Sequence, residues 1–356
     1  MLAEVHLRHG TLPKQFANFD PRNGFAQPIH LSNVLERVPK GKQETCTCGR
    51  ARVRLPFQNK RAIFGVSRTR RIAMPISKEL RQSVMDFAVN TQALPDDRLA
   101  ARWDWRGYEE GIRFIHFRFL EELNWLAASL GAELHQTPAQ RLMTQHHAAW
   151  WDLRAVLLGV GDDLLDKEPF AGEWTLRQTL NHLVEVEWSH MKVSEFAILR
   201  ARAGETERAG VPDDEWDPHF VERGGFGKSV FEGSLGSILA FHDRTHHKVL
   251  AAFSDVQADE MFLKAVFWEP EDFEIAFRLG RFASHMAQHT IQIEKNLATL
   301  GHRFTEARLL HRRIFAALAG AESVCFALDD EPKEYSETAD YFRRLAGEAE
   351  AALAAK

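Results

Sequence analysis

The sequence predicts an all-α protein, namely a four-helix bundle with additional helices on its N-terminal and C-terminal sides. Alanine and leucine are abundant and tyrosine occurs only 3 times, which favours helices over sheets. From about residue 76 onwards, apolar residues recur at the helical period almost without interruption. Capping residues and glycines divide this pattern into separate helices.

Two of the four helices of the predicted bundle begin at recognisable capping residues. Thr137 is an N-cap followed by Pro138 at the first helical position, and Thr175 caps the next helix. Gly301 closes the last one. We therefore predict helices over residues 137–160, 175–202, 234–254 and 273–300. They would pack as an antiparallel bundle, in which the long connection 203–233 allows a crossover.

Further helices are predicted on both sides of the bundle, over residues 77–91, 107–130, 305–318 and 335–354. We assign residues 74–136 to an N-terminal helical segment that packs on the bundle, 137–300 to the bundle, and 301–356 to C-terminal helices. The last helix is charged and rich in alanine, so we expect it on the surface. Clustered tryptophans predict aromatic core packing around the first bundle helix: Trp103, Trp105, Trp125, Trp150 and Trp151.

Residues 1–73 differ in composition from the rest of the chain. They contain 14 Lys+Arg against 4 Asp+Glu, a net charge of +10, whereas residues 74–356 carry a net charge of −15. No helical stripe persists there, so we predict a disordered basic extension, with a nucleic-acid-binding arm as the alternative. We also hypothesise that the natural chain begins at Met74. Cys46 and Cys48 lack the two-residue spacer of zinc knuckles, so no metal is expected between them.

Composition and charge also narrow the class of protein. No apolar run reaches the roughly 20 residues that a membrane span needs, and the N-terminus lacks the pattern of a secretory signal. Three cysteines are an odd and sparse set, which suggests a reducing compartment and a cytoplasmic protein. The charge of residues 74–356 opposes contacts with phosphate groups. We therefore expect neither a nucleic acid nor a membrane as a partner.

The sharpest chemical signal is a pair of histidines, His285 and His289, in the last bundle helix. Residues at i and i+4 lie one above the other on the same helix face. The stripe that carries this pair is otherwise apolar, so the two imidazoles should point into the bundle. There they can converge on one metal ion at Zn–N distances of about 2.0–2.1 Å.

A third ligand must come from another helix, and His182 is the best candidate. It lies on the second bundle helix beside a buried apolar side that includes Leu176 and Leu183. Histidines on two facing helices, one helix carrying a pair, predict a metal site in the bundle core. The alternative is that all three are polar core residues without a ligand.

These residues resemble the DinB-like family in their order and spacing. Trp174 precedes His182 and Leu183, and about a hundred residues later His285 and His289 form a His-x-x-x-His pair with Gln292 one turn on. The resemblance covers about residues 137–300. It implies a four-helix bundle whose second helix supplies one histidine ligand and whose fourth helix supplies two.

The resemblance further implies a divalent metal ion, commonly zinc or nickel, with three histidine ligands and open positions. Some members look like transferases or isomerases that use low-molecular-weight thiols. The expected function is therefore a metal-dependent transferase or hydrolase acting on a small molecule or a thiol. The alternative is a metal-binding or stress-associated helical bundle without catalysis. A homodimer remains open.

Other polar residues are candidates for supporting roles. Glu185 lies one turn after His182, where it could orient an imidazole or act as a base, with a solvated helix face as the favoured alternative. Gln292 lies one turn after His289, where it could hold a metal-bound water, with bundle packing as the alternative. His246 is a third catalytic candidate, and with His242 it could be a fourth ligand; His247 is expected on a partly exposed face. His116 is predicted to be a core residue. One of His146 and His147 is expected to face the pocket and the other the surface.

Overall fold

The computed structural model describes residues 77–213, 215–216, 232–328 and 330–355. The predictions for residues 1–73, including the basic extension, a start at Met74 and the Cys46–Cys48 pair, lie outside the described residues.

The described chain is mostly helical, which confirms the all-α prediction. In chain order the helices are α1 Lys78–Thr91, α2 Arg113–Gly131, α3 Pro138–Val156, α4 Leu176–Arg202, α5 Leu235–Ala252, α6 Ile275–Thr299, α7 Glu306–Val324 and α8 Lys333–Ala354. Two antiparallel hairpins accompany them: β1 Arg102–Trp105 with β2 Tyr108–Gly111, and β3 Lys264–Ala265 with β4 Phe273–Glu274. Short 3₁₀ turns cover Arg98–Ala100, Asp162–Leu164, Glu260–Phe262 and Cys325–Ala327.

Local hydrogen bonds explain why two bundle helices start where the sequence predicts. The Thr137 and Thr175 side chains accept hydrogen bonds from the backbone N–H groups of Gln140 and Gln178. Each glutamine side chain accepts in return from the backbone of its threonine, which makes two capping boxes. The cap at Thr175 places His182 two turns into α4, where the helix is already regular.

Helix α2 begins later than the sequence suggests, at Arg113 rather than near Gly107. The residues in between form β2, which pairs with β1 through a two-residue turn. Arg106 and Gly107 both have positive φ, 51° and 86°, as the commonest tight hairpin turn requires. Turn geometry therefore overrides the helical pattern at this point.

Helices α3, α4, α5 and α6 form the bundle, and α4 and α6 run antiparallel. His182 near the start of α4 contacts His289 near the end of α6, with ring centroids 4.9 Å apart. Further along α4, His190 contacts Phe282, which lies earlier in α6. This arrangement makes α4 and α6 face each other over their inner surfaces.

The consecutive helices α4 and α5 run parallel, which is the crossover arrangement that the long connection between them was predicted to allow. Arg177 at the start of α4 donates a hydrogen bond to the carbonyl oxygen of Gly233, just before α5. Further along, Glu187 accepts from His242. The end of α4 and the start of α5 therefore lie at opposite ends of the bundle.

The four flanking helices pack on one another as well as on the bundle. Helix α1 packs against α8, α2 packs against α7, and α7 also packs against α3. Helix α8 buries Tyr335, Phe342 and Leu345 on one face and exposes most of its charged residues, so it lies on the surface as predicted. Its polar composition conceals an apolar stripe at helical spacing, which is enough to bury that face.

The aromatic core forms around α3 with one exception. Trp103, Trp150 and Trp151 are at most 5% exposed, whereas Trp125 is 70% exposed. Predicting Trp125 in the core is therefore wrong, because it lies on the outer face of α2. None of the helices within the described ranges is long and apolar enough to cross a membrane.

Candidate metal centre

The structure brings together the three histidines that the sequence selects. The Nε2 atom of His285 lies 3.2 Å from Nε2 of His182 and 3.1 Å from Nε2 of His289. His285 and His289 are neighbours on α6, and His182 reaches them from α4. All three ligand atoms lie within 4.8 Å of one another. Imidazole nitrogens from two helices therefore converge closely enough to face one common ion.

This spacing can be compared with that of a tetrahedral metal site. Ligands at Zn–N distances of about 2.0–2.1 Å are separated from each other by about 3.3–3.4 Å. The separations of 3.1 and 3.2 Å around His285 are within a few tenths of an ångström of this value. Two of the three nitrogen–nitrogen separations are therefore already close to those of a metal site.

Gln292 determines which nitrogen of His289 is available. The Oε1 atom of Gln292 lies 2.8 Å from Nδ1 of His289. A carbonyl oxygen can only accept, so Nδ1 carries the hydrogen and Nε2 keeps its lone pair. Histidine ligands in metal sites typically donate their second N–H in this way. Gln292 thus orients a ring, which differs from the water-holding role that the sequence suggested.

Burial keeps the three imidazoles neutral. It lowers the pKa of His182 to about 4 and that of His285 to about 2, with a further contribution from the neighbouring histidines. Burial also lowers the pKa of His289, although the hydrogen bond to Gln292 opposes the effect. Near pH 7 all three rings therefore carry a free lone pair and no charge, as metal ligands must.

Trp174 forms a wall beside these histidines. Its ring contacts His182 edge-on at 5.1 Å between centroids and stacks over His289 at 6.2 Å. Asn296 donates a hydrogen bond to the Trp174 carbonyl oxygen, which holds the loop before α4 against α6. The aromatic wall shields the site from solvent on one side.

A small cavity borders His285 on the inner side of the bundle. Its lining includes His285, Arg281 and His190, together with His146 and Glu187 from deeper in the core. It has room for about one water molecule. Burial, with a smaller effect of Arg278 and Arg281, lowers the pKa of His190 to about 3. The cavity is therefore lined by polar groups that are neutral or positive on the His285 side.

The remaining candidates lie apart from the three histidines. We refer to His182, His285 and His289 as the triad. His246 and His242 contact Glu187, at 3.1 and 2.8 Å, rather than the triad. Neither is therefore placed as a fourth ligand. Glu185 is half-buried on α4 and is absent from both groups of potential ligand atoms in the described residues. His247 is half-buried, and its Nε2 lies 3.2 Å from the Arg81 guanidinium.

Both histidines at the centre of α3 are fully buried. The exposed fraction is 0% for His146 and for His147, so the expectation that one lies on the surface is wrong. His116 is also buried, at 1%, as a core residue would be. It packs against His311, with ring centroids 4.8 Å apart.

Sequence reasoning missed two polar residues near the site, Glu187 and His190. Glu187 is 3% exposed and occupies a position in the apolar stripe of α4, between Leu183 and Met191. An acidic residue at a stripe position is the signal that could have revealed it. His190 lies two turns after His182, so the same helix face extends the polar surface along the cavity.

The family comparison agrees with this fold. The model of the DinB superfamily matches residues 145–293, which extend from the middle of α3 into α6. Over these residues the helical bundle of this chain is similar to the DinB superfamily. Members of this superfamily often bind divalent metal ions. No curated protein and no solved structure gives a significant match to the chain.

Proposed function

We propose that this chain binds one divalent transition-metal ion, zinc or nickel, through His182, His285 and His289, and uses it in a transferase or hydrolase reaction. The observation that carries the proposal is the convergence of three imidazole nitrogens at 3.1 and 3.2 Å, with the tautomer of His289 set by Gln292. Three neutral imidazoles leave the charge of such an ion uncompensated, so it can acidify a bound water or stabilise a thiolate.

Arg281 supports a small anionic substrate, such as a low-molecular-weight thiol that carries a carboxylate. It lies one helical turn before His285 and borders the same cavity. Within the part of the chain that the structure describes, its guanidinium has neither an ion pair nor a hydrogen bond. A half-buried cation without a partner beside the histidines is suited to bind a carboxylate.

Metal content tests the binding step. Purified protein would be loaded with zinc, desalted and examined by elemental analysis. We expect His285→Ala and His289→Ala each to lose one ion per chain, because two imidazoles alone bind weakly. His135→Ala removes an exposed histidine and should keep the wild-type content, and so should His116→Ala. Equal metal content in all variants would contradict the proposal, provided that circular dichroism shows them folded.

The second candidate function is a metal-binding protein without catalysis. Whether a small thiol can reach the bound metal distinguishes it from an enzyme. The small size of the cavity favours that second candidate. In cobalt-substituted protein, we expect N-acetylcysteine to change the visible absorption spectrum. The Arg281→Gln variant should need about tenfold more of this thiol, since one charge-assisted hydrogen bond is lost, but no more of its methyl ester. No spectral change with either thiol would favour the non-catalytic protein.

A further inference from the structure

A second group of ionisable side chains lies at the centre of the described bundle, separate from the triad. It joins α3, α4, α5 and α7, and none of its members is more than 3% exposed. The members are His146, His147, Glu187, His242, His246 and Glu322. Buried charges and imidazoles of this kind must be balanced locally, because water cannot reach them.

Four of these residues form a continuous chain of contacts. Glu187 Oε1 lies 3.1 Å from His246 Nδ1, and His246 Nε2 lies 2.9 Å from His147 Nδ1. His147 Nε2 lies 2.7 Å from Glu322 Oε2. Each of these three contacts needs one hydrogen between its atoms, but two neutral imidazoles supply only two. This chain of contacts therefore needs one more proton, and so one more positive charge, than two neutral imidazoles supply.

The Glu322 end of this chain is already balanced. Its carboxylate forms an ion pair with Arg81 at 2.9 Å and accepts a hydrogen bond from Trp151 Nε1 at 2.7 Å. Arg81 and His147 hold the pKa of Glu322 at about 2 against the effect of burial. By contrast, the ion-pair partners of Glu187 among the described residues are three histidines and no arginine or lysine. The additional positive charge is therefore needed beside the carboxylate of Glu187.

Three potential ligand atoms meet at that point. Glu187 Oε1 lies 2.7 Å from His146 Nε2, and this nitrogen lies 3.2 Å from His246 Nδ1. We propose that His146, Glu187 and His246 form a second site for a divalent transition-metal ion. Two nitrogens and one carboxylate oxygen suit iron, manganese or zinc rather than magnesium or calcium.

The surrounding contacts have the pattern of residues that orient metal ligands. His242 Nε2 lies 2.8 Å from the second carboxylate oxygen of Glu187 and donates to it. His246 donates a hydrogen bond from Nε2 to Nδ1 of His147, and His147 donates one from Nε2 to Glu322. Imidazole ligands commonly donate to such an acceptor chain. On binding, the 2.7 Å contact between Glu187 and His146 would lengthen by about 0.6 Å to reach the ligand spacing of a tetrahedral site.

The two sites share no ligand but border the same cavity. His285 of the triad lines it on one side, and His146 and Glu187 line it on the other. The second site is fully buried, whereas His182 and His285 of the triad are partly exposed. An ion in the second site should therefore exchange much more slowly than an ion in the triad.

Zinc stoichiometry in the full-length protein tests this site independently of the first. After zinc loading and desalting, we expect two ions per chain in the wild type and one in His285→Ala. Glu187→Gln should also bind one, and the double variant none. Glu195→Gln, on the same helix, is the matched control and should bind two. The ion that His285→Ala retains should resist removal by EDTA at least tenfold longer than the ion that the wild type releases first.

The outcomes separate the two sites. If the wild type binds one ion and His285→Ala binds none, the second site does not exist and a third proton balances Glu187. If His285→Ala keeps the full wild-type content but Glu187→Gln loses one ion, the triad fails and the second site stands. The His285→Ala measurement leaves the buried cluster intact, so it decides the question even if Glu187→Gln does not fold.

Discussion

The side-chain amide of Gln292 orients one ligand of the triad. Because Gln292 can only accept at Oε1, it fixes the hydrogen of His289 on Nδ1 and aims Nε2 at His285. Without it, the ring of His289 could rotate or change tautomer, and every such change would cost metal affinity. Gln292 is therefore a positioning residue, one contact away from the proposed ion.

We expect Gln292→Ala to weaken zinc binding at the triad by about 10-fold to 100-fold, as the loss of such contacts typically does. Gln292→Glu should restore most of the affinity, since a carboxylate accepts the same hydrogen bond. Competition with a chromophoric chelator would measure both. Gln288→Ala, an exposed glutamine on the same helix, is the control and should have no effect. Unchanged affinity in Gln292→Ala would show that the contact does not position the ring.

The residues that sequence reasoning could find are those whose spacing carries the information. His285 and His289 share a face by helical geometry alone, and His182 lies beside the buried apolar side of its helix. Glu187 was missed because its partners are distant in sequence: His146 is 41 residues away and His242 is 55. Which imidazole nitrogen meets which oxygen depends on helix rotation and crossing, and no local pattern encodes these.

At the scale of helices, one arginine, Arg81, joins α1 to α7 and to the bundle. Arg81 of α1 reaches Glu322 of α7 and also Asp243 of α5, at 3.3 Å. Its guanidinium lies over the rings of Trp150 and Trp151, 5.5 and 5.2 Å from their centroids. The buried carboxylate of Glu322 depends on this cation, because the other donors to it are neutral.

Arg81→Met should therefore lower the free energy of unfolding by about 3–5 kcal/mol, the usual cost of leaving a buried charge without its partner. Adding Glu322→Leu should recover part of this loss, since the unpaired charge is then gone. Urea unfolding would measure both variants. Arg102→Met removes an ion pair whose side chains are mostly exposed, so it should change the value by less than about 1 kcal/mol. Equal effects of Arg81→Met and Arg102→Met would contradict this account.

The starts of helices with clear caps were predictable, but helix partners were not. The N-termini of α3 and α4 follow from capping boxes within four residues of sequence. The parallel direction of α4 and α5, and the packing of α1 on α8, depend on contacts between residues far apart in the chain. Composition predicted α8 on the surface but did not indicate what its apolar face, with Tyr335, Phe342 and Leu345, packs against.

For the whole molecule, buried histidines should make stability depend on pH. Burial lowers the pKa of His116, 1% exposed, to about 4, whereas an unfolded histidine titrates near 6.5. Between these values the unfolded chain binds more protons than the folded one, so the free energy of unfolding falls as pH falls. At pH 5 the contribution of His116 alone is a loss of about 2 kcal/mol relative to pH 7.

Urea unfolding of EDTA-treated protein at pH 7 and pH 5 would check this. We expect lower stability at pH 5, and a His116→Leu variant should show a difference between the two pH values that is smaller by about 2 kcal/mol. His135→Ala, which removes an exposed histidine, should leave the difference unchanged. The same unfolding free energy at both pH values in the wild type would contradict the prediction.

The most direct test of the central claim is a crystal structure of the zinc-loaded protein with anomalous diffraction data collected at the zinc absorption edge. We predict an anomalous peak about 2.0–2.1 Å from the Nε2 atoms of His182, His285 and His289. Zinc bound elsewhere, with no anomalous peak between these three imidazoles, would contradict the claim that they form a metal centre.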